Sequence, residues 1–464
     1  MFRVLIFFIG FSIYTPLVAQ NAMASAVQEY SSMDIVSPTC ACQNEQLIIN
    51  DHAVEGYTDK YSYAAGEIVK LYAHTKFARL SVSFSKMAQV DTILKVIPRV
   101  CAKQQNYTNC SFMYGCHWEP SLYFKLSEDL SPGLYYFKLI SNKKTFTVPI
   151  VIYSKKAANK LLVIASTNTW TAYNDWGGAS FYKFLNANSC QLKIATLVST
   201  QRPNNINQLS IYPEAHLVSS ERLFLNWLEV NQYGYDLISD EELDADSSIL
   251  KNYKVVVINS HGEYYTRAMY DHIQGFVEAG GSLLSMGANQ VYWKVVKTAD
   301  QLECMKFGDQ HSLNTDVGGK WRDLGRAESG LLGVEFSKEG LATYAPYQIM
   351  QSDHWVFKGT GLKNGDTVGI ASKTGRLGLG ASGHETDKMT SFSPINTVLL
   401  AKGQNISAKD STDYGVGGAE MTFYEHPAGG AVFSVGSISF NGALMLDKKL
   451  SLVTKNVLDN FLVR

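Results

Sequence analysis

Three short runs made almost entirely of apolar residues constrain this chain more than any other feature of its sequence. They are Leu161–Ala165, Lys254–Ile258 and Ser282–Met286. Runs of this length and composition are typical of strands that are buried on both faces of a sheet. Between the second and third runs, Tyr270–Ala279 has helical spacing and is followed by two glycines. This alternation predicts an α/β domain with a mostly parallel sheet and helices on both faces.

The same pattern continues to the end of the sequence. Ala431–Val435 is a further apolar strand, and Leu450–Leu462 has the apolar spacing of an amphipathic helix. We therefore expect the α/β domain to cover residues 160–464, after a short polar linker that begins at Lys155.

The preceding region, residues 47–155, has the alternation of apolar and polar residues that is typical of antiparallel strands. Leu80–Phe84 and Phe146–Ile152 are examples, and Pro132 and Gly133 form a turn before another strand. About 100 residues of short strands separated by turns predict an all-β, immunoglobulin-like sandwich domain.

The N-terminus resembles an export signal. A positive start at Met1–Arg3 precedes an apolar run, Val4–Ala19, which is too short and interrupted for a permanent membrane helix. We expect a signal peptide over residues 1–24, with cleavage after Ala19 as the alternative, and an N-terminal extension over residues 25–46. No later stretch has the roughly 18 apolar residues of a membrane span. The sequence thus predicts a periplasmic or extracellular protein without stable membrane insertion.

Cysteine usage and net charge narrow the class of protein further. Five of the seven cysteines lie between Cys40 and Cys116, which favours disulfides in an oxidising compartment. The 41 Lys and Arg residues nearly balance the 42 Asp and Glu residues, so that a nucleic-acid partner is not expected.

Polar side chains collect where the predicted strands end. Tyr173 follows the first strand, His261 and Glu263 follow the second, and Asn289 follows the third. Glu385 lies in a glycine-rich loop that could fold over them. In open α/β sheets, ligands bind beyond the carboxyl ends of the strands, so we expect a functional site there. Each group also has a simpler explanation, as packing or as a solvated turn, but three such strand ends in one chain favour a site.

Several common chemistries lack their motifs. The sequence has no phosphate-binding G-x-x-x-x-G-K-[ST], no G-x-S-x-G nucleophile elbow and no H-E-x-x-H zinc motif. An enzyme on this scaffold would therefore depend on a metal or on carboxylates.

Four motifs together resemble one known family. They are Ser166–Tyr182, Ser260–Tyr265, Ser285–Lys294 and Gly429–Ser437. Read together, they are similar to the C-terminal domain of the N,N-dimethylformamidase large (beta) subunit. Ser131–Tyr135 resembles the segment that ends the preceding domain in that family.

The resemblance implies a glutamine-amidotransferase-like α/β domain without the catalytic cysteine, and a mononuclear ferric iron. The matching iron ligands are Tyr135, Tyr173 and Glu263, and adjacent tyrosines such as Tyr136 leave the assignment open by one position. His261 and Asn289 match groups that contact the substrate or support the ligands. Glu385 matches, less closely, an acidic position that serves in proton transfer.

These features predict an exported, iron-dependent hydrolase of linear amides, in which metal-activated water attacks the amide carbonyl of a small substrate. The alternative is a non-catalytic secreted protein that binds a glycan or a cell surface. The family has a small partner subunit. The sequence does not determine whether this chain binds one or forms a homo-oligomer.

Overall fold

The computed structural model describes residues 53–101, 103–107, 110–183, 194–208, 216–374, 379–406 and 417–464. The expected signal peptide and extension, residues 1–24 and 25–46, lie outside these residues. Cys101, Cys116 and Cys304 have free thiols, and the expected disulfides stay a prediction. Within the described residues, no helix has both the length and the apolar character needed to cross a membrane.

The N-terminal region contains two sheets that share one hydrophobic core. Its strands are β1 (Val54–Thr58), β2 (Ser62–Ala64), β3 (Ile68–Thr75), β4 (Leu80–Lys86), β5 (Thr92–Val100), β6 (Pro120–Lys125), β7 (Gly133–Ser141) and β8 (Lys144–Tyr153). One sheet has the order β1-β3-β6 and the other β2-β8-β7-β4-β5. Leu71 of the first sheet and Phe84, Phe137 and Ile150 of the second lie in the same core cluster. The immunoglobulin-like assignment itself stays a prediction.

The rest of the chain alternates strands and helices. Its strands are β9 (Leu161–Ala165), β10 (Leu197–Ser199), β11 (Asp236–Ser239), β12 (Val255–Ser260), β13 (Tyr264–Tyr265), β14 (Ser282–Gly287), β15 (Trp293–Lys294), β16 (Val296–Lys297), β17 (Gln301–Glu303), β18 (Gly319–Lys320), β19 (Glu335–Ser337), β20 (Tyr344–Ala345), β21 (Tyr347–Ile349), β22 (Thr367–Val368), β23 (Ser382–Gly383), β24 (Thr386–Lys388), β25 (Val398–Gly403), β26 (Glu420–Glu425) and β27 (Ala431–Ser434).

The helices differ widely in length. They are α1 (Ser111–Tyr114), α2 (Thr167–Tyr173), α3 (Val218–Val230), α4 (Asp240–Ala245), α5 (Arg267–Glu278), α6 (Glu328–Leu332), α7 (Phe440–Ala443) and α8 (Lys448–Val463), with 3₁₀ turns at Ser247–Asn252, Arg322–Leu324 and Trp355–Phe357.

A nine-stranded sheet with the order β11-β9-β12-β14-β27-β26-β25-β21-β22 forms the centre of this region. Neighbouring strands from β11 to β27 are parallel, and those from β27 to β22 are antiparallel. The mostly parallel sheet that we expected is therefore parallel in one half only. A tight turn, in which His426 N donates to Gly430 O at 2.8 Å, joins β26 to β27. So short a connection permits only antiparallel pairing, because a parallel crossover needs a dozen or more residues.

Helices cover both faces of the parallel half, which confirms the α/β character of this region. Alternate residues of β9 point to opposite faces. Val163 belongs to the core that contains Phe224 of α3, and Ile164 belongs to the core that contains Ile273 of α5. Thr266 caps α5, since its side chain accepts a hydrogen bond from Met269 N. These strands are mostly apolar because both of their faces are buried.

A buried carboxylate connects the two regions. Glu55 of β1 is fully buried, and it accepts hydrogen bonds from Trp176 Nε1 at 3.0 Å and Tyr107 OH at 2.8 Å. Trp176 follows α2, so this contact ties the N-terminal sheets to the loop that leaves the first strand of the central sheet.

Candidate functional site

The parallel register brings the ends of β9, β12 and β14 to one edge of the sheet. Ser260, the last residue of β12, pairs with Gly287, the last residue of β14, and β9 pairs with β12 on the other side. Ser260 has a φ of 59° and Asn289 a φ of 51°, in the left-handed region that non-glycine residues seldom adopt. Such conformations turn the chain sharply and often occur at functional sites.

Two phenols, a carboxylate and an imidazole meet at this edge. We call Tyr173, Tyr182, Glu263 and His261 the phenol-carboxylate cluster. Tyr182 OH donates to Glu263 Oε1 at 2.5 Å, and Tyr173 OH lies 3.1 Å from His261 Nε2. The two tyrosine rings are 4.4 Å apart between centroids. His261 and Glu263 are each 1% exposed, so these contacts form away from bulk water.

The loop that carries Glu385 folds over the same edge. Thr386, in β24, pairs with Ser437, which follows β27, and this bridge places the loop beyond the parallel strands. Asn289 Nδ2 donates to Glu385 Oε2 at 2.8 Å. Asn289 N donates to Asp387 Oδ1 at 2.7 Å. The structure thus brings together Glu385, Asn289, His261, Glu263 and Tyr173.

Opposite charges in the cluster stabilise each other. Burial acts to lower the pKa of His261, but the carboxylates of Glu385 and Glu263 outweigh it and raise that pKa to about 9. Burial acts to raise the pKa of Glu263, yet its contact with His261 holds that pKa below the usual value. His261 is therefore a cation and Glu263 an anion near neutral pH.

The pKa values of Glu385 and Tyr173 are raised, so both groups tend to keep their protons. Burial, together with the charge of Glu263, raises the pKa of Glu385 to about 7. Burial and the same two carboxylates raise the pKa of Tyr173 well above its usual value. A proton therefore stays on Tyr173 until a positive charge offsets the neighbouring carboxylates.

Two further histidines line this site. The His216 ring lies 4.9 Å from the ring of Tyr173, 5.2 Å from that of His261 and 4.6 Å from that of His384. Burial, with His261 nearby, lowers the pKa of His384 to about 4. Burial likewise lowers the pKa of His216 well below its usual value. Both rings are neutral and can act as hydrogen-bonding or packing groups.

A buried lysine packs on one of the phenols. Lys306 is 6% exposed, and its Nζ lies 3.8 Å from the ring centroid of Tyr182. Lys306 Nζ also donates to Phe181 O at 3.0 Å. The ammonium of Lys306 thus lies directly beside the phenol-carboxylate cluster.

The structure does not bring Tyr135 into this cluster. Its hydroxyl donates to Ser131 O at 2.8 Å, and its ring stacks on Phe84 with 5.5 Å between centroids. Tyr136 OH donates instead to Asp91 Oδ2 at 3.0 Å. Among the contacts of the described residues, none joins Tyr135 or Tyr136 to the cluster. The ligand role of Tyr135 stays a prediction, one that these contacts do not support.

The cluster has the chemistry of a site for a hard metal ion. Within the described ranges, no group of three or more His, Cys, Asp and Glu side chains is placed to hold a metal, so tyrosine oxygens would have to contribute. Glu263 Oε2 is buried and receives no hydrogen bond from the described residues, although His261 Nε2 lies 3.2 Å away. Phenolate and carboxylate oxygens suit a hard cation such as ferric iron. The side chains present therefore fit such an ion.

Four side chains at this site are not among the predicted site residues: Tyr182, His216, His384 and Lys306. Tyr182 lies inside the motif Ser166–Tyr182, but nothing in the motif distinguishes it from its aromatic neighbours, and His384 directly precedes Glu385. His216 and Lys306 come from outside the strand ends, where the sequence has no periodic signal. Their positions depend on tertiary packing alone.

Comparison with known proteins identifies the family of this chain. Residues 85–455 match the family described as N,N-dimethylformamidase beta subunit-like, C-terminal. The chain is similar to the N,N-dimethylformamidase beta subunits of Alcaligenes sp and Paracoccus aminophilus, at 25% identity to each over 77% of this chain. It covers 58% of the length of those relatives. Among solved structures, the mmIFT52 N-terminal domain matches 51% of this chain and 89% of its own length, at 10% identity and a TM-score of 0.28.

The matched range begins in β4 and ends in α8, so it includes the whole carboxyl edge of the central sheet and the residues that meet there. The chain belongs to the N,N-dimethylformamidase beta subunit-like family.

Proposed function

We propose that this protein is a metal-dependent hydrolase of small linear amides. The observation that carries the proposal is the phenol-carboxylate cluster. Tyr182 OH donates to Glu263 Oε1, and Tyr173 OH lies 3.1 Å from His261 Nε2, which in turn lies 3.2 Å from Glu263 Oε2. The name of the relatives, N,N-dimethylformamidase beta subunit, indicates the class of substrate. The relatives are subunits of a larger enzyme, and we extend the proposal to a partner subunit for this chain.

Tyr173, Tyr182 and Glu263 would hold the metal, which we propose to be ferric iron. Tyr182 takes the place that the resemblance gave to Tyr135, because Tyr182 OH contacts Glu263 directly. The metal would supply Lewis acidity toward the amide carbonyl and toward the attacking water.

Other side chains of the site bind the substrate and move the proton. Asn289 Nδ2 orients Glu385 through the hydrogen bond at 2.8 Å. Glu385, with a pKa of about 7, can be protonated near neutral pH and can deliver that proton to the leaving amine as the C–N bond breaks. His261 Nδ1 lies 3.0 Å from Ala288 O, which fixes the ring and directs Nε2 toward Tyr173 and Glu263. The products are a carboxylic acid and an amine.

The proposal also includes export of this protein from the cytoplasm. It rests on the N-terminal sequence, with its short positive start and apolar run. Expression in a bacterial host with separate assay of periplasm and cytoplasm tests it, and retention of the full-length chain in the cytoplasm would contradict it.

The test of the hydrolase uses protein expressed with added iron. We expect about one iron per chain and a visible phenolate-to-iron absorption band. We also expect release of ammonia from formamide, or of an amine from N-methylformamide or N,N-dimethylformamide. Tyr173→Phe should lose the iron, and with it the band, while circular dichroism stays unchanged. Colourless wild-type protein that neither retains a metal nor releases an amine would overturn the proposal.

A further inference from the structure

Lys306 is an unusual residue to find at this depth. A buried ammonium costs several kcal/mol of hydration unless its surroundings compensate, and Lys306 is 6% exposed. Its Nζ contacts the carbonyl of Phe181 and the face of the Tyr182 ring. It also lies 5.0 Å from the ring centroid of Trp293 and 5.9 Å from that of Tyr264. The aromatic faces attract the cation and hold it in one place.

A second buried lysine provides the contrast. Lys294 is 3% exposed, and its Nζ forms an ion pair with Asp316 Oδ2 at 3.0 Å. Lys294 thus forms an ion pair with a carboxylate that is one-third exposed. The Nζ of Lys306 lies over the ring whose hydroxyl donates to Glu263.

Charge explains why a cation belongs there. Two ionised phenols and Glu263 would carry three negative charges. A ferric ion would balance them once bound, but they must first form in a buried site, where Glu385 adds a further carboxylate nearby. His261 balances part of this charge from one side. Lys306 lies behind the Tyr182 ring, where it stabilises an ionised phenol without competing for its oxygen.

We propose that Lys306 is a positioning residue for the metal site: its ammonium fixes the Tyr182 ring toward Glu263 and offsets the negative charge of the ligand oxygens. This inference rests on the proposed function. It predicts that the charge at residue 306, beyond the volume of its side chain, sets how tightly the site retains iron.

Three variants separate charge from packing. Lys306→Met keeps the length and removes the charge, and Lys306→Arg keeps a cation that also packs on aromatic faces. Lys294→Met removes the other buried ammonium and is the matched control. Retention of iron is measured by titration with a competing chelator, and the energy of the phenolate-to-iron band is measured on the same samples.

We expect Lys306→Met to retain iron 10- to 100-fold more weakly, the usual effect of removing a group that supports metal ligands. Its band should move to longer wavelength, because an ionised Tyr182 without its cation gives up an electron more easily. Lys306→Arg should stay within about threefold of the wild type in affinity, on the same scale. Lys294→Met should leave both measurements unchanged, since a purely structural loss does not shift the band.

The outcomes distinguish this inference from the proposed function. Wild type and Lys306→Met with equal iron affinity and equal bands would overturn the inference and leave the hydrolase proposal intact. Wild-type protein that binds no iron would overturn both. If Lys306→Met does not fold, Lys306→Gln keeps a donor for the Phe181 carbonyl without the charge, and wild-type affinity in that variant would equally overturn the inference.

Discussion

Tyr135 and Tyr173 show how differently two tyrosines of one chain can be surrounded. Tyr135 is the more buried, at 1% exposure, and lies in the core of the N-terminal sheets, where its hydroxyl has a backbone carbonyl as partner. Tyr173 is partly exposed, and its hydroxyl faces His261 at the carboxyl edge of the central sheet.

The contrast between these tyrosines teaches that burial alone does not indicate which phenol could bind a metal. The Tyr135 hydroxyl donates to Ser131 O, in the turn before its own strand, so its hydrogen bond is satisfied within the fold. The Tyr173 hydroxyl lies near the carboxylates of Glu263 and Glu385, which raise its pKa beyond the effect of burial, and a bound cation would lower that pKa again. The surroundings of the oxygen, and the charges they carry, distinguish the two.

The largest effect is expected at Glu263, which lies in the same cluster as Tyr173. Glu263→Gln keeps the shape and removes the negative charge that Tyr182 and His261 contact. We expect loss of iron and a fall in kcat/KM greater than the 10- to 100-fold typical of a group that only supports a ligand. Metal analysis and amine release measure both effects. Retained iron with full activity would remove Glu263 from the proposed site.

The next prediction applies one chemical change to both tyrosines. Tyr173→Phe should lose most of its iron, and with it the visible band and most of the activity, because it removes a proposed ligand oxygen. Tyr135→Phe should keep both and cost about 1 kcal/mol of unfolding free energy, the net value of its hydrogen bond to Ser131 O. Spectra and denaturant unfolding of the two variants provide the measurement. The reverse result would restore Tyr135 as the ligand.

The strand ends could be predicted from sequence because regular structure sets their positions. Apolar runs identified β9, β12 and β14, and parallel pairing then requires that Tyr173, Glu263 and Asn289 share an edge. The α/β character was predicted for the same reason. The antiparallel half of the sheet was not, since the direction of pairing depends on turn lengths that apolar runs do not reveal.

The remaining site residues depend on contacts that periodicity does not encode. A motif match placed Tyr135 at a position along the chain, but the direction of a side chain in a strand follows the pleat. Tyr135 and Tyr136 accordingly reach different partners, Ser131 and Asp91. Lys306 gave no signal at all, because a lysine in a sequence is expected at the surface.

A smaller effect is expected where the site orients a group without holding the metal. Asn289→Ala removes the hydrogen bond to Glu385 and leaves the proposed ligands in place. We expect kcat to fall 10- to 100-fold, as for other supporting residues, with iron content and the visible band unchanged. Parallel assays of metal and amine release check this. Loss of iron in this variant would show that Asn289 belongs with Tyr173 and Glu263 instead.

The smallest effect concerns a buried carboxylate next to the site that the proposed chemistry does not use. Glu221 accepts a hydrogen bond from Trp170 Nε1 at 2.8 Å, and burial raises its pKa to about 8. An unfolded chain has a Glu pKa near 4.3, so the folded state binds the extra proton between these values. Stability that Glu221 contributes when protonated is therefore lost as the pH rises from about 4.5 to 8.

Glu221→Gln, which is neutral at every pH, should reduce this loss while iron retention stays near wild type. Thermal unfolding of both proteins at pH 5 and pH 8 measures the difference. An identical pH dependence in both would show that the Glu221 carboxyl is ionised in the fold, and that burial beside the site does not perturb it.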